Sequence, residues 1–182
     1  MPITLDDLEL VRADPQHDIS RFDCSDDDLN DFVRTDCFNY QKHYLSHTRL
    51  AKYRGEIIAF VTLLADSIIL ETREKESWLP FHKKIVHFPA LKIGRIAVHK
   101  DYQRQGVGDA LMIYCLGIAF RMNEELNVGC RFITVDAYEM SVSWYEKQGF
   151  VFNEHKKRKK HPSMRLDILE DRNTKPTVSG GL

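Results

Sequence analysis

Leu91-Lys92-Ile93-Gly94-Arg95-Ile96-Ala97-Val98-His99-Lys100-Asp101-Tyr102-Gln103-Arg104-Gln105-Gly106-Val107-Gly108 is the stretch whose reading decides the fold. Ala90 to Val98 reads as a strand, with Leu91, Ile93, Ile96 and Val98 supplying apolar faces. His99 to Gln105 is polar and turn-like. Beyond it Val107, Ala110, Leu111, Tyr114, Cys115, Ile118, Ala119 and Met122 step by three and four. That is the period of an amphipathic helix. The spacing predicts a helix from Gly106 to Asn127, ended by Gly129. Arg131 to Asp136 is another strand, so the run is a βαβ unit with a right-handed crossover.

Outward from this unit the pattern alternates. Upstream, Leu8 to Arg12 reads as a short strand. Ser25 reads as a helix N-cap, with Asp26, Asp27 and Asp28 at the positive end of the dipole. Leu29, Phe32, Val33, Cys37 and Tyr40 follow at helical spacing, and this helix is expected to end before Ser46. Arg49 to Tyr53 and Glu56 to Leu64 form a predicted hairpin around Arg54-Gly55. Asp66 to Phe88 reads as an irregular insertion. Downstream, Ser141 to Gln148 is a short helix stopped by Gly149 in a left-handed cap. Phe150 to Asn153 and Met164 to Ile168 are the last strands. The expectation is an α/β layered fold in one domain, residues 1–170, with a disordered tail over 171–182.

The loop before the long helix is built for an anion. The first N–H groups of a helix lack intrahelical partners and point outward at its positive end. A phosphate can accept several of them at once. Gly106 and Gly108 remove side chains that would keep it away, and Arg104 and Lys100 can add charge at the rim. The pattern is not a P-loop, because no Lys-Ser/Thr follows the second glycine, and it lacks the first glycine of a dinucleotide fingerprint.

Gln-x-x-Gly-x-Gly after a strand, Gln103 to Gly108, resembles the acetyl-CoA pyrophosphate loop of the GNAT superfamily of N-acetyltransferases. Gly94-Arg95-Ile96-Ala97-Val98 resembles the strand whose backbone lines the pantetheine arm. Ser143-Trp144-Tyr145-Glu146-Lys147-Gln148-Gly149-Phe150 is similar to the family's tyrosine-bearing helix with its Gly-Phe step into the next strand. The resemblance implies a GNAT fold. Its central sheet would be mixed, of about six to seven strands. Helices would cover both faces, and two adjacent parallel strands, Ala90–Val98 and Arg131–Asp136, would splay apart.

It further implies acetyl-CoA as cosubstrate, bound by Ile96, Ala97 and Val98 on the strand and by Gln103, Arg104, Gln105, Gly106, Val107 and Gly108 in the loop. An acceptor amine would attack the thioester directly, a strand N–H would meet the oxyanion, and Tyr145 would protonate the departing thiolate. A phenol titrating near 10 suits that role. No carboxylate stands on the strand before the loop where many members carry a general base.

Within the superfamily, Ile19 to Cys24 with Leu29 to Phe32, and Leu91 to Val98 with Asp101 to Gln103, resemble the branch acting as toxins of toxin–antitoxin pairs. That branch acetylates the α-amine of aminoacyl-tRNA, and membership would imply an antitoxin partner. Lys156, Lys157, Arg158, Lys159 and Lys160 in the last loop could meet tRNA, and Arg95, Arg49 and Arg73 could contribute, whereas the formal net charge of -1 departs from the more basic toxins. The first reading of the acceptor is nevertheless a small-molecule or protein amine, with aminoacyl-tRNA as the alternative, and the alternative of another class is a non-catalytic CoA-binding or partner-binding module. A homodimer is compatible with the superfamily.

Other function classes are excluded by composition. Cys24, Cys37, Cys115 and Cys130 are scattered without CxxC or finger spacing, so no metal site is expected and each reads as a small buried hydrophobe. The longest apolar run, Ile57 to Ala65 broken by Thr62, is too short to span a bilayer, and Met1 to Val11 has no apolar leader. A cytoplasmic location without membrane contact is the expectation.

Overall fold

The computed structural model describes residues 1–71, 85–154 and 160–169. In chain order the elements are β1 (Glu9–Arg12), α1 (Asp27–Asp31), α2 (Cys37–Lys42), β2 (His47–Tyr53), β3 (Glu56–Ile68), β4 (Phe88–Val98), α3 (Val107–Glu124), β5 (Phe132–Asp136), α4 (Val142–Lys147), β6 (Val151–Phe152) and β7 (Ser163–Asp167). The strands form one seven-stranded sheet in the order β1-β2-β3-β4-β5-β7-β6. Every pairing is antiparallel except β4 with β5, which is parallel as the βαβ reading required. The sequence-based fold class therefore holds.

Helices cover both faces. On one, Val107, Leu111 and Cys115 of α3 pack with Ile93, Ile133 and Val135 of the sheet, and Tyr145 of α4 joins them. On the other, Phe32, Val33 and Cys37 pack on Leu50, Phe60 and Ala97. All four cysteines are free and buried.

The hairpin forms where Arg54-Gly55 was read, both residues having positive φ (52° and 86°). That is the geometry of a primed turn. Several boundaries moved, each for a local reason. The N-cap is Asp26, whose carboxylate accepts the Leu29 N–H. Ser25, read as the cap, sits at φ 67° and gives its N–H to Asp23.

The helix that follows is interrupted by a π turn at Phe32–Asp36. Thr35 Oγ donates to the Asp31 carbonyl at 2.7 Å, taking the acceptor a backbone N–H would use. The regular part of α3 ends at Glu124, and Asn127 at φ 54°, not Gly129, takes the left-handed position. Val128 N–H closes that turn on the Met122 carbonyl at 2.8 Å. The presumed insertion is partly strand, because β3 runs on to Ile68 and β4 begins at Phe88. Its segment 72–84, the basic residues 155–159 and the tail 170–182 lie outside the described residues.

One feature of β4 shapes everything downstream. Thr62 pairs Arg95 and Leu63 pairs Ile93, leaving Gly94 as an extra residue in the strand. Such a bulge shifts the inward–outward alternation by one. Leu91 and Ile93 face α3 before it, and Ile96 faces the same core after it. A Cβ on Gly94 would lie 2.8 Å from Leu64 Cδ2, so the close approach favours glycine. The parallel ladder to β5 ends at this point, its last pair being Ile93 with Val135.

Under the sheet, Thr48 and Thr62 are fully buried and their hydroxyls bond each other at 2.8 Å. Replacing Thr62 with Val strands the Thr48 hydroxyl and is expected to cost about 1–3 kcal/mol in urea unfolding. Replacing both with Val should recover most of that loss. A double variant no more stable than the single one would contradict this pairing.

Candidate active site

From Gly94 onward β4 has no strand on its β5 side. The direction of its backbone follows from one bond. His99 N–H donates to the Ile58 carbonyl of β3 at 2.7 Å. Successive residues of a strand turn their N–H groups to opposite sides. Ala97 therefore faces β3, while Ile96 and Val98 turn their N–H groups away from it, into the gap. The Val98 carbonyl does the same and accepts the Gln103 side chain at 3.1 Å.

That gap is the head of an open groove of about 1560 Å³. The volume exceeds the roughly 300–1,000 Å³ of ordinary ligand pockets and suits an elongated ligand. Ile96, Ala97 and Val98 form one wall, and Gln103, Arg104, Gly106 and Gly108 continue it around the start of α3. Gln105 and Val107 do not line it. Gln105 is exposed and bonds the Asp101 carbonyl, and Val107 is buried beneath α3.

The loop owes its shape to its own residues. Gly106 is the N-cap of α3 at φ 90°, and a Cβ there would meet the Ile3 carbonyl at 2.8 Å. The N-terminal segment is drawn in by Ile3 N–H on the Gln105 carbonyl at 2.7 Å. Gln103 Nε2 also reaches the Cys24 carbonyl at 3.3 Å, tying the loop to the chain before α1. Lys100, expected at the phosphate rim, pairs instead with Asp23 at 2.8 Å. That hydrogen bond, with the Ser25 N–H, holds the Asp23 carboxyl well below the usual carboxylate range. What remains for an anion is the backbone of the helix start and the Arg104 side chain.

Opposite the strand stands α4. Its Trp144 and its neighbour Gln148 both donate to Asp109 Oδ1 in the first turn of α3, at 3.1 and 2.7 Å. A Cβ on Gly108 would press on the Trp144 ring at 3.2 Å. Tyr145 is 3% exposed and packs edge-on against Trp144 and Phe150. It nonetheless lines the groove, and its hydroxyl makes no hydrogen bond to a described residue. Burial, with the Cys115 thiol behind it, pushes the phenol above its ordinary value near 10. It stays protonated at neutral pH, as a proton donor must.

The other end of the groove carries further polar and aromatic residues. Asp136, one residue past the last β5 residue paired with β4, is engaged by Lys92. Arg95 stacks on Phe32, and Tyr138 sits edge-on to His161, with ring centroids 5.0 Å apart. Lys160 lines this end as well. Asp66, in β3, accepts the Thr134 hydroxyl. Among the described residues, no group of three His, Cys, Asp or Glu could hold a metal ion, and no helix is long and apolar enough to cross a membrane.

Residues 45–152 match the family model described as the acetyltransferase (GNAT) domain. No curated protein matches the sequence. Solved structures match over nearly the whole chain at low identity. AtaT complexed with acetyl-methionyl-tRNAfMet superposes with a TM-score of 0.77 at 18% identity, covering 92% of this chain and 98% of that one. A mutant of the toxin AtaT bound to the C-terminus of the antitoxin AtaR and acetyl-CoA gives 0.70 at 20% identity, with 91% and 96% covered. A tyrosine-to-phenylalanine mutant of KacT gives 0.75 at 17% identity, with 92% and 98% covered.

Replacing Gly106 with Ala forces a side chain into left-handed backbone against a fixed carbonyl. A loss of about 1–3 kcal/mol is expected in urea unfolding. An unchanged midpoint would contradict the close approach at Ile3.

Proposed function

The chain belongs to the acetyltransferase (GNAT) domain family and is an acetyl-CoA-dependent acetyltransferase, and from this premise we infer that it acetylates an amine by direct attack, the amine being the α-amine of an aminoacyl-tRNA. The observation that carries the transfer step is the parted strand pair facing the buried phenol of Tyr145. Ile96 and Val98 present the N–H groups that can hold the pantetheine arm and meet the oxyanion. The start of α3, with Arg104, takes the pyrophosphate. As the amine nitrogen bonds the acetyl carbon, the carbon–sulfur bond breaks and the sulfur takes the Tyr145 proton. The amine releases its proton to water.

The α-amine of an aminoacyl ester is less basic than a lysine amine, so it reaches the neutral form without a strong base. That fits a groove whose carboxylates are already occupied: Asp26 caps α1, Asp109 holds α4, and Asp136 pairs with Lys92. The tRNA reading is supported by the likeness to AtaT, solved with acetyl-methionyl-tRNAfMet, and by the cationic side chains at the acceptor end. The likeness to a toxin bound to its antitoxin supports a protein partner in the same way. A small-molecule or protein amine is the second reading, favoured by the formal net charge of -1. A non-catalytic module is disfavoured by the free hydroxyl of Tyr145.

Replacing Tyr145 with Phe should slow acetyl transfer by roughly a hundredfold or more. Acetyl-CoA affinity in calorimetry should stay the same. The wild-type rate should show no alkaline fall below the ordinary tyrosine value near 10, since the shift is upward. An active Phe variant would remove the acid role. Screening labelled acetyl-CoA against separately charged tRNAs tests the acceptor. Transfer to small or protein amines alone would overturn the tRNA reading and leave the enzyme reading intact.

A further inference from the structure

The acceptor end of the groove holds a guanidinium with no hydrogen-bond acceptor among the described residues. Arg95 follows the Gly94 bulge and lies on the α1 face of β4, opposite to α3. Its guanidinium carbon stands 4.1 Å above the centroid of the buried Phe32 ring. Stacking of this kind fixes a cation in place without using its N–H groups. The carboxylate oxygen facing it, Asp28 Oδ2, is 3.8 Å away, beyond hydrogen-bond range. The Arg95 guanidinium makes no hydrogen bond to any described residue, although its side chain is only 31% exposed.

Two other part-buried arginines are used differently: Arg131 donates to Asp167 at 2.6 Å, and Arg165 to Phe152 and Asn153 at 3.0 Å. Only a guanidinium offers five N–H donors in a rigid fork, and that fork matches a phosphate. Arg95 is also separate from the cofactor end, where Arg104 and the start of α3 stand. Tyr138 lines the same end of the groove, its phenol pushed up by burial and by the charges of Asp26 and Asp28, against the opposing charge of Arg95.

We propose that Arg95 receives a phosphate of the acceptor and so sets the acceptor's position against the thioester. The proposal rests on reading this groove as an acetyl-transfer site. The phosphate can come from the phosphodiester backbone at the 3′ end of a charged tRNA or from a small phosphorylated amine. In either case the fork makes two parallel N–H···O bonds, while the stem keeps its seat on Phe32. Lys160, on the same groove, adds charge without the planar match.

The test is calorimetric titration of the CoA-saturated protein with the trinucleotide cytidylyl-cytidylyl-adenosine and, separately, with phosphoethanolamine. It is run on the wild type, Arg95→Met and Arg95→Lys, with thermal unfolding as a check that each is folded. Methionine keeps the packing over Phe32, and lysine keeps the charge without the fork. The expected result is trinucleotide binding weakened by roughly tenfold or more in the Met variant and less in the Lys variant, with CoA affinity unchanged. Binding of phosphoethanolamine alone, with the same dependence on Arg95, would uphold the arginine's role and overturn the tRNA reading. Equal affinity in wild type and Met variant, or no binding of either probe to the wild type, would overturn the proposal.

Discussion

The parting of β4 from β5 is the constraint on which the site depends. Two parallel strands pair up to Ile93 and Val135 and then separate. An unpaired strand edge normally exposes N–H and C=O groups at a cost. Here the edge opens into a groove, so a ligand can complete the ladder instead of water. Gly94 adds one residue against β3 where the β5 ladder stops, and the bulge re-aims every side chain beyond it. As a result Ile96 still reaches the α3 core, while Arg95 turns toward α1 and the acceptor end. One extra residue thus sends Ile96 and Arg95 to opposite faces of a single strand.

Around this fork the polar side chains of the loop mainly hold the frame. Gln103 bridges Val98 to Cys24, Gln105 closes on Asp101, and Lys100 binds Asp23. The anion-binding capacity then lies with the backbone of the helix start, which side-chain rearrangement does not disturb. Asp109 performs the same service on the other bank, holding α4 and with it Tyr145. The buried phenol keeps its proton for the same reason that it packs well: water is kept from all but its hydroxyl edge.

Much of this was legible in the residues. The long amphipathic run of α3, the glycine loop and the Tyr145–Gly149–Phe150 step have local causes, and local causes survive folding. The shifted N-cap, the π turn at Phe32–Asp36 and the ending of α3 at Asn127 were not legible, because each depends on which of two adjacent polar residues takes a backbone bond. The bond from Gln103 to the Cys24 carbonyl was not legible either, because its partner lies 79 residues away. The bulge did leave a trace: Leu91 and Ile93 are odd-numbered, Ile96 and Val98 even, and the phase changes at Gly94. Arg95 is one cation among several in the sequence, and only the structure seats it on Phe32 with its guanidinium unbonded among the described residues.

Amide hydrogen exchange along β4, with and without acetyl-CoA, tests the central claim most directly. Ala97 should exchange slowly in both states, because its N–H is held by β3. Ile96 and Val98 should exchange quickly in the free protein and slow by about tenfold or more when acetyl-CoA binds. Binding that leaves Ile96 and Val98 as fast as before would mean that the cofactor does not complete the fork, and the account would fail there.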